Sequence, residues 1–228
     1  MRGGLRGGKL GLLIFVGVFG IYMPLQSGPE FVSSPVSLIY WAWVPFLLVS
    51  SVIADSFAGE RERHTLETLL ASRLSDRAIL FGKIAAAIAY GWGLTLGCIL
   101  LGLGTVNIAY GKEHLLLYPT AIAIGIVVLP FLLAGLASGM GVLVSLRAST
   151  VRQAQQAFSM GFLVLFIPLF LIPVLPEDWK MSVAQAVMAT NLNLNAVLAV
   201  VVAVVALLDI GLVAVALARF QRARLILD

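Results

Sequence analysis

Residues 192–218 read LNLNAVLAVVVAVVALLDIGLVAVALA, and within this run only Asp209 is ionisable. A helix of that length extends about 40 Å, more than the roughly 30 Å of a bilayer's hydrocarbon core. The rest of the chain repeats the pattern. Five further apolar stretches run Leu10 to Gln26, Val36 to Ala54, Ile84 to Ala109, Leu115 to Leu146 and Ala157 to Leu175. The 228 residues are 61% hydrophobic and 11% charged, against about 45–50% and about 25% in an ordinary soluble domain. So few charges cannot clothe a water-facing surface, which excludes a soluble enzyme, a disordered tail and a nucleic-acid binder. The expected fold is an all-α polytopic membrane protein: six transmembrane helices in a single domain, 1–228, lying in the lipid bilayer.

Several details of the spans carry physical expectations. Pro130 removes a backbone donor inside the long fourth stretch, and Pro45, Pro168 and Pro173 do the same elsewhere, so neighbouring helices must satisfy the freed carbonyls. Gly93 with Gly97 and Gly135 with Gly139 mark faces where helices can approach closely. Cys98, the single cysteine, lies in an apolar run and reads as a buried small hydrophobe. With six spans both termini share one side of the membrane, and that side holds 13 of the 15 Lys and Arg residues, leaving Lys112 and Lys180 opposite. The positive-inside bias makes both termini cytoplasmic in a plasma-membrane protein. No A-x-A-like site follows the first stretch, so it is expected to be a retained span rather than a cleaved signal.

The second and third spans are separated by a charged stretch, 55–83, reading DSFAGERERHTLETLLASRLSDRAILFGK. Leu66, Leu69, Leu70, Leu74, Ala78 and Phe81 recur at helical spacing, and Glu60, Arg61, Glu62, Arg63 and Glu67 gather at its start. The spacing predicts an amphipathic helix, a break, and a second helix capped by Ser75 or Asp76 that runs into the third span. Arg63 and Glu67 stand at i and i+4, the spacing of a helical ion pair. A helix that merely rests on anionic lipid should be basic on its polar face; acids alternating with bases suit a protein partner better.

The run GERERHTLETLLASRLSDRAILFGK resembles the cytoplasmic loop of the ABC-type-two permease family. The residues that carry the resemblance are Gly59, Glu60, Arg61, Glu62, Arg63, Thr65, Leu66, Glu67, Leu69, Leu70, Gly82 and Lys83. STVRQAQQ, Ser149 to Gln156, resembles the family's short loop before the fifth span. Two departures stand out: Arg73 occupies a position where family members usually carry proline, and only nine residues precede the first span, too few for the family's usual amphipathic start.

The resemblance implies a permease subunit of an ATP-driven exporter. Its partners would be separate ABC ATPase subunits and a second permease copy or paralogue. Segment 55–83 would be the coupling element, with Gly59, Glu60, Arg61, Glu62, Arg63, Thr65, Leu66, Glu67 and Leu70 docking on the ATPase. No cofactor is expected on this chain; ATP and Mg²⁺ belong to the partner. Indeed GGLRGGKL near the start follows G-x-x-x-x-G-K but has Leu10 where Ser or Thr must hold Mg²⁺, and no strand precedes it.

No catalytic constellation or metal cluster is expected, His64 and His114 falling on opposite sides of the membrane. Asp209 lies ten positions before Arg219, about 15 Å deep, where an unpaired acid costs about 2.5–3.5 kcal/mol on insertion scales. It is either a cation or proton site on the translocation path or a structural tie to a neighbouring span. In the outer segment, Pro176 to Asn191, Trp179 reads as an interfacial anchor beside a short surface or re-entrant helix. Two other functions fit a six-span chain with such a loop: a haem-exporter-B-like permease of cytochrome c maturation, and a gradient-driven carrier using Asp209.

Overall fold

The structure is a computed structural model that describes residues 3–65, 68, 73–112, 114–171, 176–179, 181, 182 and 193–220. Among them there is no strand, and six long helices make a bundle. They are α1 (Lys9–Ser27), α2 (Val36–Glu62), α3 (Asp76–Tyr110), α4 (Thr120–Arg147), α5 (Val151–Leu171) and α6 (Leu194–Arg219). All but α5 are long and apolar enough to cross a membrane by length and composition. The difference at α5 has a plain cause. It begins six residues before the expected span, and the added turns carry Arg152, Gln153, Gln155 and Gln156. Residues 172–175, the end of that expected span, lie outside the described residues.

α2 is the pivot of the packing, lying against α3, α4 and α5, while α6 packs on α4 and α1 on α3. Its buried side chains serve both halves of the core. Trp41, Val44 and Leu48 join Phe31, Cys98, Ile99, Ile122 and Ile126 at one end; Phe46, Val49, Ile53 and Phe57 join Leu80, Ile84, Val142 and Phe158 at the other. Cys98 is buried as expected.

Glycine makes this proximity possible. A Cβ on Gly91, Gly125 or Gly141 would run into Val49, Leu38 or Ile53 of α2 respectively. Gly135 and Gly139 face Asp209 and Leu212 of α6, a close approach that the sequence anticipated. Gly93 and Gly97 differ, because a Cβ at either would meet nothing within 4 Å.

Two of the helices contain a π-helical turn, at Val18–Tyr22 in α1 and Asp55–Gly59 in α2. Such turns leave backbone groups outside the regular hydrogen-bond ladder, and here hydroxyls from other helices engage them. Thr105 of α3 donates to the Gly20 carbonyl (3.0 Å). Ser145 of α4, fully buried, accepts from the amides of Phe57 (3.2 Å) and Ala58 (3.0 Å) and donates to the carbonyl of Ala54 (3.1 Å). Pro130 is buried within α4, where its missing N–H frees the Ile126 carbonyl; the Trp92 indole of α3 donates to the adjacent Val127 carbonyl (3.0 Å), tying α3 to α4 at the proline.

α4 starts after Pro119, later than the expected Leu115, because residues 115–119 are held extended. Asn107 fixes them by donating to the Leu116 carbonyl (2.9 Å) and accepting from the Leu116 amide (2.8 Å). Trp179 is largely exposed, while the expected surface helix after it falls mostly outside the described residues.

Candidate functional site

The charged motif begins as the last turn of α2 rather than as a separate amphipathic helix. The helix continues past Ala54, through the π turn, to Glu62, and its end is a Schellman motif. The Thr65 amide donates to the Glu60 carbonyl (2.8 Å) and the His64 amide to the Arg61 carbonyl (3.1 Å), with His64 in the left-handed region at φ 57°. Glycine usually occupies that position, so the motif gave no signal in the sequence. This stop separates Glu60–Glu62 from Leu66, Glu67, Leu69 and Leu70, which lie outside the described residues.

The chain emerging from the turn meets Ser75, whose hydroxyl accepts from the Ala78 amide (3.2 Å) and caps α3. From there α3 runs without interruption from Asp76 to Tyr110, as the sequence suggested.

Glu60, Arg61 and Glu62 each reach a different helix. Glu60 forms an ion pair with Lys83 of α3 at 2.7 Å, with both side chains mostly buried. The same ammonium group donates to the Ser56 carbonyl and sits 4.3 Å above the centre of the Phe57 ring. Arg61 donates to the carbonyls of Leu146 (3.0 Å) and Ala148 (2.7 Å), where α4 ends. A cation at the C-terminal carbonyls complements both their orphan lone pairs and the helix dipole. Glu62 accepts from the Val151 amide (3.1 Å), the first of α5, and so places a negative charge at a helix N-terminus.

Three consecutive residues therefore tie the end of α2 to the start of α3, the end of α4 and the start of α5. Beneath them Phe57 is wholly buried against Phe220, just beyond α6, with ring centres 5.2 Å apart.

Arg63 is placed differently. It is exposed and pairs with Asp55 through two 3.1 Å hydrogen bonds, which hold its guanidinium above its ordinary pKa. Its expected i+4 partner Glu67 lies outside the described residues. Gly59 is required here, since a Cβ would collide with the Asp55 carboxylate. Thr65 is turned back by its hydroxyl, 3.3 Å from the Glu60 carbonyl.

The second stretch singled out in the sequence forms the other wall of the knot. Ser149 donates to the Gln153 side chain through both its amide and hydroxyl (2.9 Å each), and Thr150 accepts from the Gln153 amide (3.2 Å). Thr150 is thus the N-cap of α5, while the Gln153 side chain reaches one residue further back, to Ser149. The two stretches touch through Glu62 and Val151, 89 residues apart, a pairing that local sequence patterns do not encode.

Asp209 stands apart from this cluster. It packs against Gly135 of α4, and its Oδ1 is buried without a hydrogen-bond partner among the described residues.

A bundle in which five helices are long and apolar enough to cross a membrane defines a polytopic α-helical membrane protein. A family model described as ABC-2 family transporter protein matches residues 25–218, and the chain belongs to that family. It is thus a membrane transport subunit rather than an enzyme in its own right. No curated protein and no solved structure matches the chain.

Proposed function

We propose that this chain is the permease subunit of an ATP-driven exporter, working with separate ATPase subunits and a second permease copy or paralogue in the plasma membrane. The observation that carries the reading is that Glu62 of the first family-like stretch meets Val151 of the second, 149–156, at the end of the bundle where Arg61, Lys83 and Arg147 collect. The 13-to-2 division of Lys and Arg makes that end cytoplasmic, together with both termini. With Glu60, Arg61 and Glu62 engaged inside the chain, ATPase docking belongs to the loop from Arg63 through Leu70. ATP and Mg²⁺ are held by the ATPase, and nucleotide closure pulls on that loop. The continuous α3 behind Ser75 carries the movement across the membrane.

The test is affinity purification of the tagged full-length chain from native membranes, followed by ATP hydrolysis in nanodiscs. An ABC ATPase should be retained, and replacing Leu66 and Leu70 by Asp should release it while the chain stays inserted. Failure of the wild-type chain to retain any ATPase would overturn the proposal. A gradient-driven carrier is favoured by the Oδ1 of Asp209, which is buried without a hydrogen-bond partner among the described residues. Nucleotide-independent transport that collapses with the ion gradient would favour it.

A further inference from the structure

Glu60, Arg61 and Glu62 have the composition of a docking surface and the geometry of something else. Each is aimed at a neighbouring helix, Arg61 and Glu62 at helix ends and Glu60 at a side chain two turns inside α3, and each meets the group that its charge prefers. Glu60 meets a lysine, Arg61 two C-terminal carbonyls, and Glu62 an N-terminal amide. Ser145 locks the same segment from below by engaging the amides and carbonyl around the π turn. Three helix ends and the flank of α3 are thereby joined within one turn of backbone, immediately before the Schellman turn at His64. α1 has no part in these contacts.

We propose that Glu60, Arg61 and Glu62 are positioning residues of the coupling step. They clamp the end of α2, the start of α3 and the α4–α5 turn into one body, so that a pull on the adjoining loop moves these helices together. The inference rests on the permease reading above, and adds to it that the acids and base of this motif act on their own chain. Without the clamp, force on the loop would be lost in local bending of the turn between α4 and α5. The clamp is electrostatic, and the Glu60–Lys83 pair at its centre is mostly buried; the Lys83 ammonium also serves the Ser56 carbonyl and the Phe57 ring face, so position 83 accepts a cation and not an acid. A charge-removing and a charge-conserving substitution there therefore separate its role from general charge on this surface.

The experiment uses the full-length chain in nanodiscs, with Cys98→Ala as background and a spin label at position 108. Ile108 is 90% exposed at the far end of α3. The ATPase is whichever ABC ATPase co-purifies from native membranes. The readout is the change in label mobility on trapping with ATP, Mg²⁺ and vanadate, divided by the hydrolysis rate of the same sample. Glu60→Gln and Lys83→Met should each lower that ratio at least threefold, and Lys83→Arg should keep most of it. Arg61→Gln and Glu62→Gln should speed hydrogen exchange at the amides of 148–151 about tenfold in the ATPase-free chain.

Neutral variants that transmit the full change, or Lys83→Arg no better than Lys83→Met, would overturn the clamp. If the wild-type chain retains no ATPase, or shows no nucleotide-dependent change, the permease reading fails. Hydrogen exchange then judges the clamp alone, and unaltered exchange in Arg61→Gln and Glu62→Gln would overturn that too.

Discussion

Replacing Ser145 by alanine removes one oxygen atom and three hydrogen bonds. The oxygen is fully buried, accepts from two backbone amides of α2 and donates to one of its carbonyls. Leaving a buried donor unsatisfied costs about 1–3 kcal/mol, so two abandoned amides set an upper bound near 6 kcal/mol. Two effects reduce it. The π turn can tighten toward an α-helix, letting the Ala58 amide find the Ala54 carbonyl that Ser145 has released. Side-chain hydrogen bonds measured in membrane proteins also average only about 0.6 kcal/mol, with a maximum near 1.7. A loss of about 2 kcal/mol is the expected balance, or about 4–8 °C in melting temperature for a chain of this size.

Ser138→Ala is the matched control. Ser138 is equally buried in α4, but its hydroxyl donates only to the Ala134 carbonyl of its own helix (2.7 Å), so its loss should shift melting by about 1–2 °C. The assay is detergent melting followed by size exclusion, with hydrogen exchange at Phe57 and Ala58. Equal melting of the two variants, together with unchanged exchange at those amides, would refute the assignment of Ser145 as the support of the π turn.

Other substitutions test other parts of the fold. Gly141→Ala places a methyl group against Ile53, a buried β-branched side chain with little room to yield, and should cost about 1–3 kcal/mol in a melting experiment. Gly97→Ala meets nothing within 4 Å and should instead stabilise by about 0.5–1 kcal/mol through helix propensity. His64→Gly relieves a left-handed residue and should raise stability by up to about 1 kcal/mol, read by chemical denaturation; a decrease would show that the imidazole has a role. Asp209→Asn should melt at or above the wild-type temperature, because Oδ1 has no hydrogen bond to lose among the described residues. A drop of several degrees would restore the structural tie, whereas a stable variant without transport would put Asp209 on the translocation path.

How far the sequence could be read depended on the range of each interaction. α2 through Ala54, the start of α3 and α6 were all legible, because composition and capping act within a few residues. The end of α2 was not. Asp55 and Ser56 interrupt the apolar run before Phe57 and Ala58, which hides the continuation of the helix and its π turn, and His64 ends the helix without the usual glycine. The charges of 60–62 were visible as charges, but their direction depends on Leu146, Ala148 and Val151, far along the chain. Glycine spacing was a partial guide. Gly135 and Gly139 met a partner helix, whereas Gly93 and Gly97 did not, since spacing specifies a face and not what lies opposite.

A π turn is equivalent to one residue inserted into an α-helix. Everything after it is rotated by about 100° from the direction an unbroken helix would have given. In α2 the insertion falls at 55–59, immediately before the three charges. The same residues on a regular helix would point about a quarter-turn away from Lys83 and from the ends of α4 and α5. The aim of the charged trio is thus a matter of phase: deleting one residue between Asp55 and Gly59 would leave composition and hydrophobicity almost untouched, yet turn all three side chains off their targets together.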